Sequence, residues 1–311
     1  MRVLVTGGAG FIASHIVDAY IRLGHEVTIV DNLSTGRREN LNSKAKFIEV
    51  DIRDADKIAE VFGSAQFDLV NHHAAQMDVR RSVNDPVYDA SVNVLGVLNI
   101  LECCVKNGVR RVVFASSGGA IYGEQDYFPA DEQHPTRPIS PYGVAKLTTE
   151  NYLFYYKAVY NLDSVCLRYA NVYGPRQNPA GEAGVVAIFT SQMLSNEQLV
   201  INGDGKQTRD YVYVGDVVQA NVLALQSNGS QIFNIGTGVE SDVNALFRHL
   251  KGATGSNVEE SHGPAKKGEQ LRSVLDARKI HAALGWKPAV SLEVGLRRTV
   301  EYFKSKRGHA A

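Results

Sequence analysis

Cysteine, methionine and tryptophan are scarce in this chain: three, three and one among 311 residues. Cys103 and Cys104 are adjacent, a spacing unsuited to an ordinary disulfide and without the CxxC pattern of a zinc site. A disulfide framework is therefore not expected, no metal is assigned, and a reducing, cytoplasmic setting is the natural expectation. Charge of either sign is not in excess, with 33 Lys+Arg against 33 Asp+Glu. That balance offers no basic field for nucleic acid and no polybasic surface for lipid, so neither is expected as a partner. The first apolar run, Val3 to Val5, soon meets Gly7, so no signal-peptide core is expected. Nor is a membrane-crossing stretch of about 20 apolar residues.

What is present is alternation. Short β-branched runs at Arg2–Thr6, Glu26–Asp31, Lys46–Val50, Phe67–His72, Arg110–Ser116 and Ser164–Tyr169 read as strands. Amphipathic stretches at Phe11–Leu23, Lys57–Val61, Val87–Asn107 and Tyr142–Tyr160 fill the intervals as helices. This pattern predicts an α/β fold: a doubly wound parallel sheet of the Rossmann type, with ligands beyond the carboxyl ends of the strands. After about residue 170 the pattern loosens into Gly/Pro/Asn-rich connections. We expect residues 1–170 to bind a dinucleotide. Residues 171–311 should form mainly a smaller substrate domain, some of whose segments return to the large one.

The opening Thr6-Gly7-Gly8-Ala9-Gly10-Phe11-Ile12-Ala13 follows a strand and starts a helix, the context in which a glycine-rich loop is informative. Gly7 permits the turn, and Gly10 lets a pyrophosphate approach the positive end of the helix that begins at Phe11 and Ile12. Asp31, with Asn32 beside it, ends the next strand. A carboxylate there accepts the ribose hydroxyls and repels a 2′-phosphate, which favours NAD over NADP. Asp51 and Ile52, then Ala74, Ala75 and Gln76, stand at further strand ends and are placed as cofactor contacts together with Asn93. His72 and His73 read as fold residues near this rim, because adjacent strand positions point to opposite faces.

Tyr142 and Lys146 begin a helix after Pro141, and their four-residue spacing puts both on one face. A phenol is a poor base near its ordinary pKa of about 10, but a neighbouring ammonium and a cationic nicotinamide would favour phenolate. Such a pair also occurs on ordinary amphipathic helices. Ser116 and Ser117, at the end of the fifth strand and followed by Gly118-Gly119, bring a hydroxyl to the same rim, where it could hydrogen-bond a reacting oxygen. Tyr142 and Lys146 are also expected among the cofactor contacts.

With these motifs in view, the chain resembles the extended short-chain dehydrogenase/reductases and, within them, the UDP-glucose (UDP-galactose) 4-epimerase family. The resemblance runs nearly end to end. It rests on VTGGAGFIASH at 5–15, DNLSTG at 31–36, HHAAQ at 72–76, FASSGGAIYGE at 114–124, SPYGVAKL at 140–147, LRYANVYGPRQ at 167–177, GDGKQTRDYVYVGDV at 203–217, FNIGTG at 233–238 and LGWKP at 284–288. It implies NAD-dependent epimerisation at carbon 4 of a UDP-hexose, through a 4-keto intermediate with return of the hydride. Tyr142 is then the base, Lys146 its partner and Ser117, rather than Ser116, the hydroxyl on the sugar's 4-oxygen. It further implies Asn171, Arg209, Arg272 and Lys266 around the diphosphate of a UDP-sugar, Lys266 standing where relatives carry an arginine. Ser273 replaces a bulky tyrosine, which implies room for a 2-acetamido group. A homodimer through Val87–Asn107 and Tyr142–Tyr160 is also implied.

Sibling dehydratases and decarboxylases carry acids after the active hydroxyl, where this chain has Gly118-Gly119. Epimerisation needs none. From another class, a non-catalytic NAD-binding sensor would need no reactive hydroxyls, and the retention of Ser117, Tyr142 and Lys146 speaks against it.

Overall fold

The structure, a computed structural model, describes residues 1–180, 184–265 and 270–308. Lys266 lies outside the described residues. The first half of the chain runs β1 (Arg2–Thr6), α1 (Phe11–Arg22), β2 (Glu26–Asp31), β3 (Lys46–Glu49), α2 (Ala55–Gly63), β4 (Leu69–His72), α3 (Val79–Asn84), α4 (Pro86–Ala90), a π-helical turn (Ser91–Gly96), α5 (Val97–Lys106), β5 (Arg111–Ser117), α6 (Gly118–Ile121), α7 (Pro141–Tyr160) and β6 (Asp163–Tyr169). The second half runs β7 (Asn171–Tyr173), α8 (Val185–Leu194), β8 (Ile201–Asn202), β9 (Thr208–Tyr213), α9 (Val214–Ala224), β10 (Gln231–Ile235), β11 (Glu240–Asp242), α10 (Val243–Thr254), β12 (His262–Gly263), β13 (Arg272–Ser273), α11 (Arg278–Leu284) and α12 (Leu292–Gly308).

Seven parallel strands form the large sheet in the order β10-β6-β5-β4-β1-β2-β3. The fold is the doubly wound α/β class. Alternation along β1 sends Val3 and Val5 to one face, where Ile16 and Tyr20 of α1 and Val217 and Ala220 of α9 cover them. Leu4 goes to the other face, with Ile58 and Phe62 of α2, Ile100 and Leu101 of α5 and Leu153 and Tyr156 of α7. Burial on both faces is what makes the strands read as continuous apolar runs. Two C-terminal segments belong to this layer: β10 pairs along β6, and α9 packs beside α1. A smaller sheet built on β9, with β7, β11 and β13 against it, carries the rest around a third core that includes Tyr173, Phe189, Leu246 and Phe247.

Two expectations change. The stretch 87–107 is not one helix but α4, the π turn and α5, a break that the polar residues Ser91 and Asn93 occupy. The helical span Pro86–Lys106 is also long and apolar enough, by length and composition, to cross a membrane. Val97, Ile100, Leu101 and Cys104 from it lie buried against the sheet instead, and apolar length here reflects a helix that covers a parallel sheet. The strand order reverses between β1 and β4, and the crevice at that switch point is where the predicted residues gather.

Candidate active site

The cofactor end is shaped by glycine. Gly7 has φ +70°, and a Cβ there would stand 2.7 Å from the Ala74 backbone nitrogen. Gly10 forms the N-cap of α1 without a side-chain cap, so the first amides of the helix that starts at Phe11 and Ile12 stay open to the crevice. Asp31 ends β2, accepting from the Ala9 amide at 3.0 Å and the Leu33 amide at 2.8 Å, and burial pushes its carboxyl pKa up. Gly36 must be glycine because a Cβ would come within 2.8 Å of that carboxylate. Asn32 donates to Asp51 at 2.9 Å, and hydrogen bonds from Arg53 hold Asp51 well below the usual carboxylate range. Ile52, Ala74, Ala75 and Gln76 complete the wall. An open helix N-terminus, glycines where backbone must approach, and a carboxylate one strand away fit the diphosphate and ribose of a dinucleotide.

Asn93 sits differently from its prediction. It is 3% exposed and its amide bonds the Gln76 backbone at both ends, accepting from the Gln76 N–H at 2.9 Å and donating to its C=O at 2.7 Å. It shapes the wall from behind.

At the other end of the crevice, Ser140 caps α7 by accepting from the Gly143 amide at 3.2 Å, and Pro141 takes the first turn. Gly143 packs on α6, where a Cβ would meet the Ala120 carbonyl oxygen at 2.5 Å. This close approach brings Tyr142 to the end of β5, where Ser117 stands near enough to pull the phenol's pKa down. Ser116 is committed elsewhere: it is buried, and its Oγ donates to Glu150 Oε1 at 2.6 Å. The two serines thus divide, and Ser117 is the one beside the phenol.

Lys146 is 4% exposed, donates to the Ala115 carbonyl at 2.9 Å and lies over the Phe114 ring at 4.8 Å. Burial lowers its pKa to about 8, against the opposing charges of Asp89 and Glu150. The expected effect of the ammonium on the phenol is not what governs here. Nζ lies 5.6 Å from the Tyr142 ring centroid, and burial, followed by the Asp89 charge, pushes the phenol above its ordinary value, with Ser117 pulling down. Phenolate therefore depends on positive charge arriving with a ligand.

On the substrate side, Asn171 opens β7 at the surface, and its Oδ1 would be 3.9 Å from a Cβ at Gly119. Arg209 and Ser273 are register partners on β9 and β13. Arg209 donates to the Thr208 carbonyl at 2.8 Å, and Ser273 is 3% exposed. Arg272 is engaged by a two-pronged ion pair with Glu240, at 2.8 and 2.6 Å, while stacking on Phe128 at 3.8 Å. It is not free to meet a phosphate in this structure. Sequence reasoning missed Arg81, Tyr88 and Tyr169, which line the cofactor crevice, and took His73 as a fold residue although it lines it too. Tyr169 could have been found, since it ends β6 as Ser117 ends β5.

Residues 3–236 match the model of the NAD dependent epimerase/dehydratase family. The chain belongs to that family. It is 46% identical over 312 residues to a UDP-glucose 4-epimerase of Mycolicibacterium smegmatis, covering 98% of this chain and 99% of the relative. Among solved structures it is similar to a UDP-glucose 4-epimerase of Thermotoga maritima with UDP-glucose, at 51% identity and TM-score 0.97, covering 99% of this chain and 100% of the other. A Thermus thermophilus UDP-glucose 4-epimerase in complex with NAD aligns at 47% identity and TM-score 0.94, covering 98% and 99%. As a member of the epimerase/dehydratase family the protein takes NAD as cofactor, and the glycine cradle with Asp31 is where it fits.

Proposed function

We propose that this protein interconverts UDP-galactose and UDP-glucose by NAD-dependent epimerisation at carbon 4 of the hexose. The observation that carries the reading is the Tyr142 phenol beside Ser117 at the end of β5, with Tyr142 and the buried Lys146 both lining the dinucleotide crevice. Bound NAD supplies reversible uptake of the hydride from carbon 4. Tyr142 Oη takes the proton of the 4-hydroxyl and gives it back, Ser117 Oγ holds the same oxygen, and Lys146 anchors the base on its helix face. Inversion further requires the 4-keto sugar to turn between the two transfers while its UDP end stays held. Asn171 and Arg209 are the residues read for that end.

Elimination and decarboxylation call for an acid after Ser117, where this chain has Gly118 and Gly119, the second with room at its Cβ position. A Cβ at Gly118 would strike the Leu275 side chain at 2.5 Å, so no acidic side chain fits there without moving it. The deciding experiment is mass spectrometry of the denatured protein for NAD together with an assay of UDP-galactose conversion to UDP-glucose. Absence of any sugar-nucleotide turnover would return the reading to an NAD-binding sensor.

Two finer statements belong to the same proposal. Ser273, in register with Arg209 and small where relatives carry a bulky tyrosine, supports acceptance of a 2-acetamido group. Ser273→Tyr should then lower turnover of UDP-N-acetylgalactosamine relative to UDP-galactose by about tenfold, and an unchanged preference sinks the idea. The second concerns assembly. Val87 and Phe154, 78% and 77% exposed, lie on α4 and α7 with Leu95 and Val159 also exposed, an apolar face suited to a second copy. Sedimentation should give twice the 34.0 kDa chain mass, and Phe154→Glu should give monomers.

A further inference from the structure

Asp89 is a carboxylate 1% exposed on α4, and its partners are amides. Its Oδ1 accepts from Gln76 Nε2 and from Asn93 Nδ2, each at 2.9 Å. Asn93 in turn clamps the Gln76 backbone, and the Gln76 side chain bonds the Asp78 backbone, donating to its C=O at 2.9 Å and accepting from its N–H at 2.8 Å. The Asn93 carbonyl accepts from Thr149 Oγ1 at 3.1 Å, on α7 three residues after Lys146. The Asp89 side chain thus ties the cofactor wall at 74–78 to the π turn, and the Asn93 backbone carbonyl carries that tie on to the catalytic helix. The π turn exists at this point because Asn93 turns inward to the wall, and such turns mark sites where regular helix geometry is given up for function.

The charge matters separately from the hydrogen bonds. Two amide donors can satisfy an acceptor oxygen, but a neutral one would serve as well. An ionised carboxylate removed from water is costly unless a cation answers it. Burial pushes the Asp89 carboxyl up, the Gln76 and Asn93 amides and the Lys146 ammonium pull it back, and its charge in turn raises both the Tyr142 phenol and Lys146. Other groups around the pair are accounted for. Glu150 faces Lys146 from α7 and is paired with Arg168. His72 and His73, at the end of β4, have pKa values lowered to about 3 by burial and are neutral. Asp78 and Asp85 cap α3 and α4 through backbone amides, and Arg81 stacks on Tyr88 at 4.2 Å along the crevice.

We infer that Asp89 is a positioning residue for the transfer step: its carboxylate fixes the cofactor wall to the π turn, which bonds the catalytic helix, and sets the charge under which Tyr142 exchanges its proton with the sugar. The inference rests on the reaction proposed above. A negative charge near both groups favours their protonated forms, so its removal makes Tyr142 ionise at lower pH and makes Lys146 lose its ammonium at lower pH.

Asp89→Asn keeps an acceptor oxygen for both amides and removes the charge. NAD content by mass spectrometry should match wild type, and both limbs of the kcat–pH profile should move to lower pH by about 1 unit. Tyrosinate absorbance, with Tyr142→Phe as the blank, should report the same downward shift for Tyr142 without any turnover. A profile and a titration left in place with NAD bound would overturn the inference. Asp89→Ser, smaller and still able to accept one amide hydrogen, must show the same shifts if the asparagine variant does not fold. If neither folds, Asp89 is a folding residue and the inference fails. Lack of UDP-hexose turnover by the wild type would end the reaction reading alone, since the tyrosinate titration still decides on Asp89.

Discussion

Tyr142→Phe should lower kcat for UDP-galactose epimerisation by about 10³-fold while leaving NAD bound, the scale of loss expected when a positioned general base is removed. The substitution deletes one oxygen. The ring stays in place over Lys146 Nζ, 5.6 Å from its centroid, and α7 keeps its cap from Ser140. What disappears is the phenol oxygen beside Ser117, the group that carries the proton of the 4-hydroxyl. Because the phenylalanine ring fills the same space, KM should change by less than the turnover does, and the loss should fall on kcat. A loss under about tenfold would mean that another group moves the proton and that the phenol only lines the crevice. Retained NAD, measured on denatured protein, separates this result from simple damage to the cofactor site.

Much of this architecture is legible in the sequence. The strand alternation and the glycine loop predicted a doubly wound sheet, because parallel strands buried on both faces leave short apolar runs that no other arrangement explains as well. β10 was not read as a strand of that sheet, since FNIGTG comes after a stretch of irregular connections and its place beside β6 is a long-range pairing that local pattern does not encode. The helix 87–107 was read as continuous because apolar periodicity runs through it. Its break at Ser91–Gly96 depends on what Asn93 bonds across space. Tyr142 and Lys146 were legible from spacing, and counting one step further along the same face reaches Glu150, which was overlooked. Arg272 looked like a phosphate ligand, but its ion pair with Glu240 comes from β11 and β13 both flanking β9, a proximity that sequence separation hides.

That overlooked residue carries the largest expected effect on stability. Glu150→Ala should destabilise the fold by about 3–5 kcal/mol in urea unfolding, because it strands a buried guanidinium. Arg168 and Glu150 have side chains only 5% and 3% exposed, joined at 2.6 Å between Nη2 and Oε2 and at 3.0 Å between Nε and Oε1. With the carboxylate gone, Arg168 retains the Tyr122 phenol at 2.8 Å as a partner among the described residues, a neutral oxygen in place of an anion. Removing both charges is a different matter. Glu150→Leu with Arg168→Met replaces the pair by apolar groups of similar bulk and should recover most of the loss, whereas additive penalties from the two sites would overturn the pairing argument. The same carboxylate accepts from Ser116 Oγ at 2.6 Å, and Ser116 precedes the hydroxyl that meets Tyr142. Activity should therefore stay low in the apolar double variant even where stability returns, because the end of β5 has lost its Ser116–Glu150 tie to α7 and keeps only that from Lys146 to the Ala115 carbonyl among the described hydrogen bonds. A double variant that regains both stability and kcat would show that β5 needs no such tie to hold Ser117 against the phenol.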